Sequence, residues 1–378
     1  MIFGHQLNMS HPREILHLSP LADIGGCEVN CLRIIEGLPA FKHRVVVFDR
    51  RGPMSEKWEA AGAQVEHLNA WQAGRAKFLI TFAEWVHGRD EPTGVFYWST
   101  SRLSSILKTL KQWDAPWAVY LGNPADTHAI RQMQFRLKEF AWSSSPQVVL
   151  VACSKQVAAS HRRAYYFRKF PIQTIYNAVG PAFDQPRKHR TLPPGSVPRV
   201  GMVARLDTIK DHATVLRAFA AIASIRADLV LEFAGDGNLR ELLVRQAVSL
   251  GLADRVRFLR SVTDVAALIA GWDIYVHSTT NAEGMGTAVA EAMMAGLPCV
   301  VSDIAVMREV CGQEGAIYVR AADPIDWGQA LLRLIADRER RVELGLAAQK
   351  RARDLFALPE VAASYLNVIC PDGGRTSA

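Results

Sequence analysis

Short apolar runs alternate with longer amphipathic stretches along the whole chain of 378 residues. The alternation predicts βα units, because parallel strands are buried on both faces and are joined by crossover helices. The strands expected in the first half are Glu14–Leu18, Arg44–Phe48, Gln64–Leu68, Gly94–Trp98, Ala118–Leu121, Val148–Ala152 and Gln173–Tyr176. The helices expected between them include Lys77–His87 and Ser101–Trp113. The chain is therefore predicted to be an α/β protein.

The pattern is interrupted once. Residues 184–198 read DQPRKHRTLPPGSVP, and their four prolines will not propagate a helix or a central strand, so we predict a linker there. The strands expected beyond it are Val200–Val203, Val230–Ala234, Val256–Leu259, Ile274–His277, Cys299–Ser302 and Ala316–Val319, with helices at Asp211–Ser224 and Leu239–Gly251. The length suits two domains. We predict two Rossmann-like domains, at 1–183 and 199–356, which face a central cleft where a ligand would bind.

Composition limits the partners. No apolar run approaches the roughly 20 residues of a membrane helix, and the polar N-terminus lacks the layout of a signal peptide, so we expect a cytoplasmic protein. The net charge of +7 would attract phosphates, anionic lipid or nucleic acid. No nucleic-acid motif accompanies the charge, which favours the first two partners and no nucleic acid.

The strongest candidate site lies at 283–302, where Glu283 and Glu291 are separated by seven residues. Gly284 and Gly286 follow the first glutamate and precede a stretch with helical spacing of its apolar residues. Glycines allow the backbone to approach a ligand closely, and a helix N-terminus is a natural phosphate site. The two glutamates, up to about 12 Å apart along the helix, suit the two ends of a nucleotide sugar.

Weaker signals lie at the ends of other predicted strands. Arg205 and Lys210 follow the first strand of the second domain, where open α/β sheets bind ligands, and two cations can neutralise a leaving diphosphate. Asp211 could cap the next helix. The Gly-flanked Asp236 in the turn at Ala234–Gly237 is a weak signal by itself, since such turns are common. The pair Gly25–Gly26 could bring backbone amides near phosphate or sugar, although it is equally typical of a plain turn.

Together, in order and spacing, these features resemble the retaining glycosyltransferases of family 4, which have the GT-B fold. Their motifs stand here as Gly25-Gly26-Cys27-Glu28, Gly201 to Lys210, Ala234 to Gly237, and Glu283 to Val301. The match covers almost the whole chain and is most specific from Val200 to Val319. The resemblance implies an N-terminal acceptor domain, a C-terminal nucleotide-sugar domain, and a last segment, 357–378, whose helix at Pro359–Ile369 crosses back onto the first domain.

The resemblance also implies roles for single residues. Arg205, Lys210 and Glu283 would be catalytic, holding the donor diphosphate and sugar, and Glu291 would bind the ribose hydroxyls. The other donor-binding residues would be Gly25, Gly26, Gly237, Arg260, Gly284, Met285, Gly286 and Thr287. No further cofactor is expected, and a UDP-sugar is favoured over a GDP-sugar as donor. The acceptor would be a glycan or a lipid-linked molecule used in bacterial lipopolysaccharide, capsule or exopolysaccharide synthesis.

Two departures concern the acceptor half. Many relatives carry a histidine just after the strand at Trp117–Leu121, where this chain reads Gly122-Asn123-Pro124. His128 could take that catalytic role, or could be an exposed residue at a helix start. The basic and aromatic run at 154–170, which includes His161, could lie on an anionic membrane surface, or could be a helix with its aromatics packed inward.

No carboxylate is placed as a nucleophile, so the resemblance implies front-side displacement with retention of the anomeric configuration. No Asp-x-Asp motif stands in a metal position, and we expect no metal. Two alternatives stay open. A sugar-nucleotide epimerase of the same fold would need no acceptor, and a non-catalytic nucleotide-sugar-binding protein would lack turnover altogether.

Overall fold

The computed structural model describes residues 13–126, 147–164, 170–185, 199–226 and 228–371. They form two compact units. Unit 1 takes the described residues of Met1–Cys153, Val157–Ala178 and Leu358–Ala378, and unit 2 takes Ser154–Gln156 and Val179–Ala357. Unit 2 thus begins before the proline-rich stretch, because the backbone N–H of Val179 donates to the carbonyl of Phe356, 2.8 Å away.

Unit 1 contains a seven-stranded parallel sheet in the order β3-β2-β1-β4-β5-β6-β7. Its strands are β1 (Glu14–Ser19), β2 (Lys42–Val47), β3 (Gln64–His67), β4 (Gly94–Tyr97), β5 (Trp117–Leu121), β6 (Val148–Ala152) and β7 (Ile172–Thr174). Its described helices among these strands are α1 (Gly26–Gly37), α2 (Pro53–Ala60), α3 (Arg75–Val86), α4 (Leu103–Thr109) and α5 (Lys155–Arg163). The strand order reverses between β1 and β4, which leaves a crevice at their carboxyl ends.

Unit 2 repeats this architecture with a six-stranded parallel sheet in the order β10-β9-β8-β11-β12-β13. Its strands are β8 (Val200–Val203), β9 (Leu231–Ala234), β10 (Val256–Phe258), β11 (Ile274–His277), β12 (Cys299–Ser302) and β13 (Ala316–Val319). Its described helices are α6 (His212–Ala223), α7 (Arg240–Ser249), α8 (Val265–Ala270), α9 (Thr287–Met294), α10 (Ala305–Cys311), α11 (Pro324–Ala336) and α12 (Arg338–Phe356). The predicted fold class, two Rossmann-like α/β domains, is confirmed.

The last described helix, α13 (Leu358–Ile369), belongs to unit 1. It packs closely there: a Cβ added at Gly37 would lie 2.6 Å from the Cβ of Ala362, and one added at Gly94 would lie 2.6 Å from the Cβ of Ile369. Small residues at both contacts let the helix sit against the end of α1 and the start of β4.

The prediction of a helix over Ser101–Trp113 was too long, since α4 covers only Leu103–Thr109. Arg102 has a left-handed backbone (φ 56°) and begins the helix. Its guanidinium lies 4.0 Å from the Trp71 ring centroid and donates to the Trp71 carbonyl at 3.1 Å. This contact with a residue distant in sequence holds Arg102 outside the helix, which no local pattern could show.

Candidate functional site

The candidate site lies in unit 2, where the strand order reverses between β8 and β11. Parallel strands bring their carboxyl ends to one edge, and ligands of open α/β sheets bind at such a reversal. Two of the predicted residues meet there. The ammonium of Lys210, in the loop after β8, forms an ion pair with Oε2 of Glu283, in the loop after β11. Their side chains are only 13% and 9% exposed, so little water screens this pair.

The carboxylate of Glu283 has two further partners. The hydroxyl of Thr279 donates to Oε2 at 2.9 Å, and Nε2 of His277 lies 3.2 Å from the same oxygen. Burial by itself would raise the pKa of Glu283, but Lys210 and His277 outweigh it and hold that pKa well below its usual range. The carboxylate is therefore charged throughout the physiological pH range.

The loop that carries Lys210 is fixed by its own backbone. Oδ1 of Asp207 accepts hydrogen bonds from the N–H groups of Ile209 at 3.0 Å and Lys210 at 3.3 Å. The carbonyl of Lys210 accepts one from Nδ1 of His212 at 2.8 Å. Burial lowers the pKa of His212 to about 4, although its bond to the Lys210 carbonyl acts in the opposite direction. A neutral His212 thus holds the loop in place.

The helix α9 begins beside this cluster. Its N-cap, Gly286, has φ +77°, and a Cβ there would lie 2.9 Å from Cε of Met307. Both observations explain a glycine at this position. The first N–H groups of a helix have no partner within the helix, and its dipole favours an anion there. Thr287 is the first residue of α9, and Glu291 lies further along it with 9% of its surface exposed.

The remaining residues predicted for donor binding in unit 2 lie on neighbouring loops. The side chain of Arg205 is 65% exposed, and its Nη2 pairs with Oδ2 of Asp207 at 2.9 Å. Arg260 has a left-handed backbone (φ 56°), and its Nη1 lies 3.7 Å from Oδ2 of Asp236. Gly237 has a packing reason for its lack of a side chain, since a Cβ would lie 2.4 Å from the Leu206 carbonyl oxygen. Gly284 and Met285 are buried between Glu283 and Gly286.

Unit 1 has a cavity of its own, of about 350 Å³, at the carboxyl ends of β4 and β5. Cys27, Trp98, Tyr120 and Asn123 are among the residues that line it. The predicted Gly25 and Gly26 begin α1 close by, Gly25 as its N-cap. His128, the predicted acceptor-side catalytic group, lies outside the described residues.

The proposed membrane segment at 154–170 is described only in part, because 165–169 lie outside the described residues. Arg162 and Arg163 are exposed. The inclusion of His161 in an exposed basic surface was wrong: it is buried, and its Nε2 donates to the carbonyl of Asn123 at 3.1 Å. None of the described helices is long and apolar enough to cross a bilayer.

Sequence reasoning missed His277, Thr279 and Asp207. The signal for His277 was present, since it ends an otherwise apolar strand, IYVH, at the predicted ligand-binding edge. Asp207 and Thr279 carry no such signal, because their partners are chosen by loop conformation. Among the residues that the structure describes, no group of three or more His, Cys, Asp or Glu side chains could hold a metal ion.

Comparison with known proteins extends this description. The family described as "Glycosyl transferases group 1" matches residues 184–351. The matched residues all lie within the bounds of unit 2, Val179–Ala357. Both the Lys210–Glu283 pair and the start of α9 lie within the matched residues.

Two curated relatives are similar over parts of their length. A D-inositol 3-phosphate glycosyltransferase of Salinispora tropica is 32% identical over 171 residues, which cover 41% of this chain and 34% of that protein. A lipopolysaccharide core biosynthesis glycosyltransferase, LpsD, of Rhizobium meliloti is 27% identical over 220 residues, which cover 58% of this chain and 62% of that protein. The chain thus spans less than two thirds of these relatives.

The similarity to solved structures covers both units. The crystal structure of Anabaena Alr3699/HepE in complex with UDP and glucose matches with a TM-score of 0.78 at 18% identity, over 94% of this chain and 99% of that one. The architecture is therefore the GT-B fold.

Proposed function

We propose that the protein is a retaining glycosyltransferase that moves a sugar from a nucleoside diphosphate sugar to an acceptor hydroxyl without a metal ion. The observation that carries this proposal is the Lys210–Glu283 pair beside the N-terminus of α9, at the reversal of the second sheet. A half-buried ammonium and a helix N-terminus together favour a diphosphate at this place.

The chemistry follows from that placement. The bond between the anomeric carbon and the β-phosphate oxygen breaks, and the acceptor oxygen adds to the same face of the sugar while its proton passes to the departing phosphate. Negative charge grows on the diphosphate in this step. Lys210, the exposed Arg205 and the N–H groups at the start of α9 would stabilise this growing charge. Glu283 would hold the sugar hydroxyls and Glu291 the ribose.

The donor nucleotide is proposed from the structural neighbour. Alr3699/HepE was crystallised with UDP and glucose, and this favours a UDP-sugar for our chain as well. A thermal-shift panel of UDP, GDP, ADP and their sugars tests the choice, because a ligand that binds only the folded protein raises its melting temperature. Stabilisation by GDP-sugars alone would contradict it.

The proposed acceptor is a glycan or a lipid-linked glycan of the bacterial surface, as the name of LpsD suggests for that relative. The exposed Arg162 and Arg163 support a contact with anionic lipid at the inner face of the membrane. Co-sedimentation with vesicles tests this contact, and equal binding to neutral and anionic vesicles would contradict it.

The central prediction concerns the two cations. We expect Lys210→Ala and Arg205→Ala each to lower kcat by about 10²-fold, because each removes positive charge that stabilises the leaving diphosphate. Turnover of the best donor from the thermal-shift panel, in buffer with EDTA, measures the effect, and the anomeric coupling constant of the product in NMR reports retention.

Lys350→Ala is the matched control, since that ammonium is 80% exposed and pairs with Asp354 on the same helix. Its turnover should equal that of the unmodified protein. Unchanged turnover in both Lys210→Ala and Arg205→Ala would overturn the assignment of the site, and inversion at the anomeric carbon would overturn the proposed mechanism.

A further inference from the structure

The cluster at the candidate site contains a group that the proposed reaction does not use. His277 ends β11 and is only 1% exposed. Its Nε2 lies 3.2 Å from Oε2 of Glu283 and 3.4 Å from Nζ of Lys210. A buried imidazole therefore contacts both members of the ion pair that would hold the donor.

The hydrogen bonds around His277 select its protonation state. Nε2 of His277 lies 3.2 Å from Oε2 of Glu283, a carboxylate oxygen that can only accept, so the proton of a neutral ring is on Nε2. Nδ1 lies 3.4 Å from the hydroxyl of Tyr275, which can donate to it or to the carbonyl of Val203 at 3.2 Å. A second proton, on Nδ1, would charge a ring whose Nε2 lies 3.4 Å from the ammonium of Lys210.

The electrostatics agree with this geometry. Burial and the charge of Lys210 lower the pKa of His277, while Glu283 alone acts to raise it. Among the described residues, the other titratable groups near the ring are Tyr275 on its own strand and His212 on α6, and Glu291 on α9 acts on Tyr275. With Lys210 in place, His277 is neutral.

A bound diphosphate would change the charges around His277. It carries two negative charges and attracts the ammonium of Lys210, which must then share or leave Glu283. The carboxylate of Glu283 is buried, and an uncompensated buried charge is costly. His277 is the neighbour of Glu283 that can replace the missing charge: its Nε2 would still donate to Oε2, and the second proton, on Nδ1, would be donated to the hydroxyl oxygen of Tyr275.

We propose that His277 is a positioning residue that takes up a proton from solvent when a diphosphate donor draws Lys210 away from Glu283, and so holds Glu283 in place. This inference rests on the proposed function. Because donor binding takes up a proton, donor affinity rises as the pH falls. The rise occurs between the pKa of His277 in the complex and its lower pKa in the free protein. The rise is up to tenfold per pH unit, for one proton.

The first test needs no donor. Lys210→Met imitates departure of the ammonium, and we expect it to raise the pKa of His277, measured from the pH dependence of its imidazole NMR signals. The spectrum of His277→Gln identifies those signals. Lys210→Gln is the second variant, in case the first does not fold. A pKa of His277 equal to or below that of the unmodified protein in either folded variant would overturn the inference.

The second test counts protons. UDP-glucose is the first probe, because both of its phosphates are esterified and neither titrates near neutral pH; GDP-mannose and ADP-glucose follow. Calorimetry at about pH 7 in PIPES and in Tris, two buffers that bring no phosphate to the site, gives the proton uptake from the difference in binding heat. We expect uptake of up to one proton in the unmodified protein and less in His277→Gln.

The outcomes are distinct. Binding with the same proton uptake in both proteins overturns the role of His277 and leaves the glycosyltransferase proposal intact. An absence of binding heat from all three nucleotide sugars overturns the proposed function, and with it this inference. Binding with uptake that His277→Gln removes supports both.

Discussion

At the scale of single residues, Asp211 connects the folding of a helix with the candidate site. Its Oδ1 accepts a hydrogen bond from the N–H of Thr214 at 3.2 Å, which confirms the predicted helix cap. Its carbonyl accepts one from the hydroxyl of Ser278 at 2.7 Å, next to His277. Asp211 also follows Lys210 directly, so its side chain caps α6 while its backbone carbonyl holds the end of the Lys210 loop.

We therefore expect Asp211→Ala to lower the free energy of unfolding by about 1 kcal/mol, the usual cost of a lost N-cap. It should also raise the KM for the donor, because the Lys210 loop becomes less fixed. Urea unfolding and steady-state kinetics measure the two effects. The control is Asp264→Ala, which removes the N-cap of α8, where Oδ1 accepts from Ala267 N–H at 2.9 Å. A KM that rises equally in both variants would contradict the second role of Asp211.

Residue types and spacing were enough to predict that Lys210 and Glu283 belong to one site. They were not enough for the contacts that give these residues their properties. Lys210 contacts His277 and Glu283 because β8 and β11 are neighbours in the sheet, and this pairing joins segments more than 70 positions apart in sequence. His128 stays a prediction.

At the scale of elements, α13 shows how a terminal segment is held in unit 1. The amide nitrogen of Asn30, on α1, donates to the hydroxyl of Tyr365, on α13, at 2.9 Å. Oδ1 of Asn30 accepts from the N–H of Ala178 at 3.0 Å, in the segment after β7. One buried side chain thus joins three segments, and burial raises the pKa of Tyr365 well above its usual value, so its hydroxyl stays protonated.

Tyr365→Phe should destabilise unit 1 by about 1–3 kcal/mol, because it leaves a buried N–H of Asn30 without an acceptor. Urea unfolding followed by circular dichroism measures the change. The comparison variant is Tyr318→Phe, which removes a hydroxyl from a half-buried ring in unit 2 whose acceptor, the Gly312 carbonyl, belongs to a loop. The structure predicts that Tyr318→Phe lowers the free energy of unfolding by less than Tyr365→Phe does. An equal or larger decrease would argue against α13 being anchored through Asn30.

The elements themselves were the most predictable part of the fold. The strands β11, β12 and β13 have the predicted bounds, since buried parallel strands are continuous apolar runs that end at polar or turn residues. Helix ends were less predictable. For α4, the contact of Arg102 with Trp71 decides the first turn, and for α3 the start moves to Arg75 from the predicted Lys77.

At the scale of the whole molecule, buried histidines recur in both units. In unit 1 the indole N–H of Trp98 donates to Nδ1 of His17 at 3.1 Å, and Nε2 of His17 lies 3.0 Å from Nδ1 of His43. Nε2 of His43 lies 2.9 Å from the Leu38 carbonyl, which can only accept. The donors therefore run in one direction from Trp98 to Leu38, and each ring needs a single proton. Both histidines are neutral, because burial lowers the pKa of each.

Burial also lowers the pKa values of three further histidines, so these rings are neutral too: His161, His212 and His277. In the unfolded chain these side chains return to the ordinary pKa near 6.5. Protons then bind the unfolded state and not the folded one as the pH falls below that value. Stability is fully present above about pH 6.5 and is lost toward the lower folded-state pKa values, by up to about 1.4 kcal/mol per pH unit for each histidine.

We therefore expect the free energy of unfolding to fall between about pH 7.5 and pH 5.5, a range in which ordinary carboxyl groups do not yet titrate. Urea unfolding across this range measures the slope for each unit. His212→Asn should reduce the slope of the unit 2 transition by up to one proton, because asparagine can still donate to the Lys210 carbonyl but cannot bind a proton. His87→Asn is the control, since that histidine is exposed. A slope that His212→Asn leaves unchanged would mean that His212 is not held neutral by burial, and that the Lys210 loop is open to solvent.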